Sequence, residues 1–395
     1  MRPAIPPSSC TPHAHSEAAL SERLQNLLVD TGGSQFAQGS IHHELEELDR
    51  AGIRPLREHQ TPERILGWID AEFGGTASLE AAAGGIWIAE DDDGPLAYAA
   101  FDARGLRYHW LQHWRNRPTV GMFGPIGVTE RARGRGIGGT LVRAAIFSLR
   151  ERGYRQALIA ATPPELVPYF ERTADAWFAE SVDPGRGGRR WRATVLASGH
   201  GVNFQAVLDA SRTGTLPLEV TALVANRRDA YALERAATGN VPATLVSWNR
   251  REEPRDAFDA RVIDAVASTE PEVVLLLGWM HVLPFSFVAR FPEALNLHPA
   301  FLPLDPACDE VTMPDGSSLP AFRGAHAFDD AVRAGRGWSG ASVHRLGAAV
   351  DRGELFARAP LRIGTGDDRT GHDQLRNLEQ EVVATAVRSW SYQQR

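Results

Sequence analysis

The sharpest chemical signal in this chain is a pair of residues in its second half. Within Glu293-Ala-Leu-Asn-Leu-His-Pro-Ala-Phe-Leu-Pro303, Asn296 and His298 stand two positions apart. In an extended segment both side chains then project to the same face. An amide donor beside an imidazole suits acyl transfer: the amide donates to an oxyanion while the imidazole manages the proton of an attacking amine. Two glycine-rich turns add anion-binding chemistry. Arg131-Ala-Arg-Gly-Arg-Gly-Ile-Gly-Gly139 follows the strand-like Gly124-Pro-Ile-Gly-Val128 and leads into a segment with Leu141, Val142, Ala145, Ile146 and Leu149 at helical spacing. Such a turn presents unpaired backbone N–H groups, and the helix dipole, to an anion. Gly134, Gly136 and Gly138 would let the backbone approach the ligand, with Arg133 and Arg135 adding charge, which makes a cradle for pyrophosphate. Val195-Leu-Ala-Ser-Gly-His-Gly-Val-Asn-Phe-Gln-Ala206 is a second strand, turn and helix, whose amides from Gly199 to Asn203 offer another anion site. Taken singly, each signal has a plain alternative: a solvated loop, an ordinary turn of a doubly wound fold, or a structural histidine.

The elements that must position these residues divide the chain in two. Asp183-Pro-Gly-Arg-Gly-Gly-Arg-Arg190 is Gly-rich, charged and without periodicity, and a fresh strand signal, Trp191 to Ala197, follows it. Before it the sequence reads as α+β. After it come strand Arg192–Ala197, helix Asn203–Ala210, strand Glu219–Val224, helix Tyr231–Ala237, a short strand near Ala243–Val246, helix Ala257–Ser268 and the apolar strand Val273–Leu277. Alternation of this kind predicts a mostly parallel, doubly wound sheet. The expected organisation is disorder over residues 1–20, a first domain over 21–185, a linker over 186–190 and a second domain over 191–395.

Composition narrows the function. The 395 residues suffice for about two or three domains. All 42 Lys+Arg residues are arginine, which excludes lysine Schiff-base chemistry, lysine-held pyridoxal phosphate and a Walker A loop. A net charge of −7 argues against a protein that neutralises nucleic-acid phosphates over its whole surface. The longest apolar run, Val273 to Met280, is far below the ~20 residues of a membrane span. The first 20 residues contain no apolar stretch of signal type, so a cytoplasmic location and no membrane partner are expected. The two cysteines, Cys10 and Cys308, build neither a disulfide framework nor a four-cysteine zinc site, and no metal is expected.

Arg133, Gly136 and Gly138 fit the acyl-CoA loop Arg/Gln-x-x-Gly-x-Gly/Ala, and over about residues 50–180 the chain resembles the Gcn5-related N-acetyltransferases. The resemblance implies an α+β acetyltransferase-like domain holding acetyl-CoA through Val128, Arg133, Gly134, Arg135, Gly136, Ile137, Gly138 and Gly139. It also implies that Tyr169, in Pro168-Tyr-Phe-Glu-Arg172, protonates the departing thiolate. No carboxylate stands on the strand Val120–Val128, so the sequence shows no general base there.

In the second half, Asn296 to Pro303, the turn 199–203 and Val343-His-Arg-Leu-Gly-Ala-Ala-Val-Asp-Arg-Gly353 occur in family order. So do Asn226 to Arg235, Gly278-Trp-Met-His281 and Leu319 to His326. Together they resemble glycinamide ribonucleotide formyltransferase and its relatives, which transfer a formyl group from 10-formyltetrahydrofolate to an amine. The resemblance implies a doubly wound, Rossmann-like domain with catalytic Asn296, His298 and Asp351. Asn296 would donate to the oxygen of the tetrahedral intermediate, and Asp351 would raise the His298 pKa towards its working pH. Trp279, Met280 and His281 would border the folate, and Gly199, Gly201, Val202 and Asn203 the acceptor's phosphate.

Three departures concern that acceptor. Val202 replaces the usual serine, His281 stands where an arginine is usual, and residues 304–319 form an extra Pro-, Asp- and Gly-rich segment. That segment reads as a hairpin or loop reshaping the amine pocket. The expected function is formylation of a small-metabolite amine in specialised metabolism, beside an acetyltransferase domain; a homo-oligomer is compatible with it. The alternative is purine-biosynthetic formyl transfer with a non-catalytic acyl-CoA-binding or scaffold domain.

Overall fold

The computed structural model describes residues 24–102, 108, 111–182, 188–363 and 368–394. The expected disordered stretch 1–20 and the first two residues of the linker 186–190 lie outside the described residues.

The first sheet holds β1 (Leu24–Asp30), β2 (Arg54–Glu58), β3 (Gly85–Asp91), β4 (Gly94–Phe101), β5 (Val120–Val128), β6 (Gln156–Thr162) and β7 (Trp177–Val182). Their order is β2-β3-β4-β5-β6-β1-β7. β5 and β6 are parallel; the other neighbours are antiparallel. The helix Ile137–Glu151 crosses this sheet with Leu141, Val142, Ala145, Ile146 and Leu149 at 0% exposure. Burying such a stripe stabilises by roughly 1.5–3 kcal/mol for each large side chain. β5 and β6 pair only from Val120 to Phe123 against Gln156 to Ile159. Past Phe123, β5 follows β4, and the two parallel strands part.

The second sheet holds β8 (Trp191–Ala197), β9 (Leu218–Ala225), β10 (Ala243–Leu245), β11 (Val273–Leu276), β12 (Ala294–His298), β15 (Trp338–Arg345) and β16 (Leu355–Arg362). Its order is β10-β9-β8-β11-β12-β15-β16, with the first five strands parallel and the last two pairings antiparallel. The chain winds outward from β8 to β9 and β10, then returns to place β11 on the other side of β8. That reversal opens a crevice at the carboxyl ends of β8 and β11, where doubly wound folds bind ligands. The helices expected over 203–210, 231–237 and 257–268 are Val202–Arg212, Ala232–Thr238 and Arg255–Ala267. A helix of 26 residues, Asp368–Gln393, closes one face and buries Trp390 against Trp191.

The segment 304–319 does form a hairpin, β13 (Glu310–Thr312) and β14 (Ser318–Pro320). None of its residues lines the cavity that holds Asn296 and His298. Val311, Met313 and Leu319 pack on Phe301, and the backbone of Met313 and Pro314 lies against Gly67 of the helix Glu63–Glu72. A Cβ at Gly67 would come within 3.2 Å of that backbone. The hairpin's apolar side is therefore spent on joining the two sheets. Beside it runs a buried ion pair: Arg358 Nε on β16 donates to Asp70 Oδ2 at 2.9 Å, and Arg358 Nη1 donates to the Leu302 carbonyl at 2.8 Å. Burial pushes the Asp70 carboxyl up to about 6, against the pull of Arg358.

Candidate active sites

Asn296 and His298 occupy alternate positions of β12, and both line a cavity of about 270 Å³ in the crevice of the second sheet. The antiparallel ladder sets His344 of β15 opposite Asn296. Asp351 comes from the loop after β15, at φ 53°, a left-handed conformation that aspartate tolerates better than most residues. Its Oδ2 accepts from the Gly324 N–H at 2.7 Å and lies 3.4 Å from His298 Nδ1. Its Oδ1 lies 3.3 Å from Asn296 Nδ2 and 3.4 Å from His344 Nε2. His298 Nε2 is 2.8 Å from the Phe322 carbonyl, so its hydrogen belongs on that nitrogen in the neutral ring. Nδ1 is then the vacant proton position, 3.4 Å from Asp351 Oδ2.

Burial of Asp351 alone would raise its pKa, but His344, His298 and the Gly324 N–H outweigh it and hold the carboxyl at about 2. Asp351 pulls the His298 pKa upward, but burial outweighs that pull. His298 is 3% exposed, and the desolvation of an imidazolium there exceeds the carboxylate's pull, so its pKa lies below the ordinary value. The ring is therefore neutral, a base in waiting.

Around this centre the same cavity is lined by Gly278, Trp279, Met280 and His281 after β11, by 346–350, and by Asn203 and Glu379. Trp279 is buried with no partner for its Nε1 among the described residues, while Met280 is 53% exposed. Trp279 and Met280 give the cavity a largely apolar wall on this side. His281 stacks edge-on to Trp248, Phe258 and Trp279, and burial lowers its pKa. At the turn, Gly201 has φ 66° and caps the helix that starts at Val202; a Cβ there would lie 2.7 Å from Ala232. Gly199, in contrast, has open space. Asn203 donates to Glu379 Oε2 at 2.8 Å, and burial raises the Glu379 pKa. The sequence reading missed Glu379, His344 and Gly324. His344 and Gly324 had a signal in that they lie within the segments 343–353 and 319–326 that carry the resemblance; Glu379 had none.

In the first sheet, Gly134 and Gly136 have φ 75° and 78° with open space around them, and Gly136 caps the helix beginning at Ile137. Arg133 and Arg135 are exposed beside them, so the turn can hold an anion against the free first-turn amides. Gly138 has a packing part as well. A Cβ there would lie 2.9 Å from Val128 Cγ2 and 3.1 Å from the Tyr169 hydroxyl, so this glycine serves close packing of helix on strand. Gly139 borders Arg143 and Thr173. Tyr169 thus stands at the cradle, its pKa raised by burial, and it is absent from the lining of the cavity where β5 and β6 part. That cavity is lined instead by a carboxyl group the sequence did not disclose, Glu80.

Among the described residues, no group of three or more His, Cys, Asp or Glu side chains could hold a metal ion, and no helix is long and apolar enough to cross a membrane.

A doubly wound sheet with Asn, His and Asp meeting in its crevice defines a class, and sequence comparison agrees. A model of the formyl transferase family matches residues 191–304 and 315–387, and one of the acetyltransferase (GNAT) family matches 43–172. The gap in the former falls within the hairpin segment 304–319. The chain belongs to the formyltransferase family and carries a GNAT-family domain ahead of the formyltransferase domain. Within the family it is 35% identical over 198 residues to a phosphoribosylglycinamide formyltransferase of Mycobacterium tuberculosis, covering 50% of this chain and 83% of that one. To the phosphoribosylglycinamide formyltransferase of Schizosaccharomyces pombe it is 34% identical over 212 residues, covering 49% and 93%. Glycinamide ribonucleotide transformylase 1 from Symbiobacterium toebii, a crystal structure, is 29% identical, with a TM-score of 0.44 over 54% of this chain and 89% of that one.

Proposed function

We propose that this protein transfers a formyl group from 10-formyltetrahydrofolate to an amine nitrogen of a small metabolite, and that its N-terminal domain binds acetyl-CoA for a second acyl transfer. The observation that carries the first part is the meeting of Asn296, His298 and Asp351 within 3.3 to 3.4 Å at one cavity. Folate, held along Trp279, Met280, His281 and the segment 346–350, supplies the activated formyl group. Asn296 Nδ2 donates to the oxygen on which negative charge grows. His298 receives the amine's proton at Nδ1 while Nε2 keeps its hydrogen on the Phe322 carbonyl. The resulting imidazolium then donates to Asp351 Oδ2, a carboxylate at any pH above about 2. Gly199, Gly201, Val202 and Asn203 hold the acceptor's anionic end, without the hydroxyl donor a serine at 202 would add. For the second part, Val128 and the cradle from Arg133 to Gly139 hold the CoA pyrophosphate, with Tyr169 beside it as the proton donor.

Val202 and His281 support an acceptor outside purine synthesis, in specialised metabolism. Glycinamide ribonucleotide is the second reading, favoured by the names of the relatives. Full-length protein given 10-formyltetrahydrofolate labelled in the formyl group should label an amine with EDTA present, and His298→Asn should cut the rate by ~10²-fold or more. Label passing readily to glycinamide ribonucleotide selects the second reading. Absence of any binding of 5-formyltetrahydrofolate would overturn the formyltransferase assignment.

A further inference from the structure

Asp351 lies in the loop between β15 and β16, outside any strand, so its position depends on what grips that loop. Arg323 Nε donates to the Asp351 carbonyl at 3.3 Å, and the neighbouring Gly324 N–H donates to the Asp351 carboxylate. Arg352 follows Asp351, and its Nη1 donates to the Pro306 carbonyl at 2.8 Å and the Ala307 carbonyl at 3.2 Å. The two guanidiniums meet on one carboxylate: Asp309 Oδ1 accepts from Arg323 Nη1 at 3.2 Å and from Arg352 Nη2. Arg323 Nη2 also donates to the Cys308 carbonyl at 2.8 Å. Residues 306–309 fall in the stretch 305–314 that the formyl transferase family model leaves unmatched. The grip on the Asp351 loop is therefore built on material this chain adds to the family's domain.

The far end of that material is fixed in two directions. Asp315 Oδ2 accepts from Trp338 Nε1 at 2.7 Å and from Arg362 Nη1 at 3.0 Å, which seats the hairpin on β15 and β16. On its other side, a Cβ at Gly67 of the first domain would lie 3.2 Å from backbone atoms of Thr312, Met313 and Pro314. Val311, Met313 and Leu319 are buried between, and close-packed groups transmit a displacement rather than absorb it. Asp309 itself has a side chain 76% exposed, and exposed ion pairs add little to stability. Its two partners set geometry instead, because a guanidinium presents its donors in a fixed fork.

We propose that the inserted segment is a positioning brace: through Asp309, Arg323 and Arg352 it holds the Asp351 loop against His298, and through Gly67 it makes that hold depend on the first domain. Asp309 is a positioning residue, acting on the reaction through Asp351. The proposal rests on the reading of Asp351 as the partner of His298. The groups that face His298 fix the sign of the effect. Asp351 raises its proton affinity, while His344 and Arg323 lower it. A loosened brace lets the Asp351 carboxylate withdraw, and without Asp309 the Arg323 charge loses its counter-ion. Both changes move the His298 titration to lower pH.

NMR titration of the His298 ring in the full chain reads the position of Asp351 without need of an acceptor. Asp309→Ala should move the titration to lower pH and Asp309→Glu should return it towards wild type, with a thermal midpoint within about 2 °C of wild type in both. Gly67→Leu alters no charge and lies in the other domain, yet should move the titration the same way. Gly67→Ala, which asks the hairpin backbone to give by less, should move it less. A cooperative melt in each variant reports a folded chain. A shift in Asp351→Asn with none in Asp309→Ala overturns the brace and leaves the Asp351 reading standing. A shift in Asp309→Ala with none in either Gly67 variant overturns the dependence on the first domain, and with it the proposal. No shift in Asp351→Asn overturns both the brace and the reading on which it rests.

Discussion

Replacing Asp351 by Asn keeps the shape of the side chain and an acceptor for the Gly324 N–H, and removes only the charge. The structure sets the size of the effect. The Asp351 carboxyl lies at about 2 against an ordinary 3.8, although it is 8% exposed and burial alone would raise it. Its net electrostatic stabilisation is therefore ~2 kcal/mol. His344, His298 and the Gly324 N–H share that sum. In Asp351→Asn the His298 pKa, already depressed by burial, should fall further, because the carboxylate is what pulls it up, and formyl transfer should drop by ~10-fold or more. The acid limb of the rate profile should move to lower pH, because the base form persists there once the carboxylate is gone. Stability gives an independent reading. A carboxyl with a lowered folded pKa stabilises above its unfolded pKa and loses that contribution as pH falls. Wild type should thus exceed Asp351→Asn in stability above the ordinary carboxylate range, with the gap closing between about pH 4 and pH 2. NMR titration of the His298 ring in the free proteins checks the first claim without knowledge of the acceptor. An unchanged His298 titration would refute the assignment of Asp351 as its electrostatic partner.

Gly136→Asp places a carboxylate at the cradle, with open space for its Cβ, at a positive φ that aspartate tolerates better than most residues but at some cost in strain. Acetyl-CoA affinity by calorimetry should fall steeply while 5-formyltetrahydrofolate binding stays; unaltered CoA affinity would mean the pyrophosphate sits elsewhere. Arg358→Met strands the Asp70 carboxylate between the domains, where both side chains are at most 1% exposed, and should cost ~3–5 kcal/mol in thermal or denaturant unfolding. That loss should grow as pH rises above about 6 and be smallest below it, where Asp70 is neutral with or without Arg358.

The alternation of strands and helices after residue 190 was legible because strand and helix periods differ, and each apolar run faces one layer. The Asn-x-His pair was legible for the same reason: a period of two is local, so Asn296 and His298 share a face wherever their strand lies. The cradle at Gly136 was legible as a turn opening a helix, since positive φ is a property of one residue. The sequence held no comparable sign of what meets these groups. Asp351 reaches Asn296 across 55 positions, and His344 faces it only because β15 pairs with β12. Glu80, Tyr108 and Tyr392 gather at one cavity from segments that share no local pattern. The direction of the 304–319 hairpin depended on which surface needed its apolar side, and Gly67 offered one. The proton affinity of His298 depended on burial set against a neighbouring carboxylate. Local periods and turn residues are written along the chain; desolvation and charge pairing are sums over everything that surrounds a group, and the tertiary structure alone performs that sum.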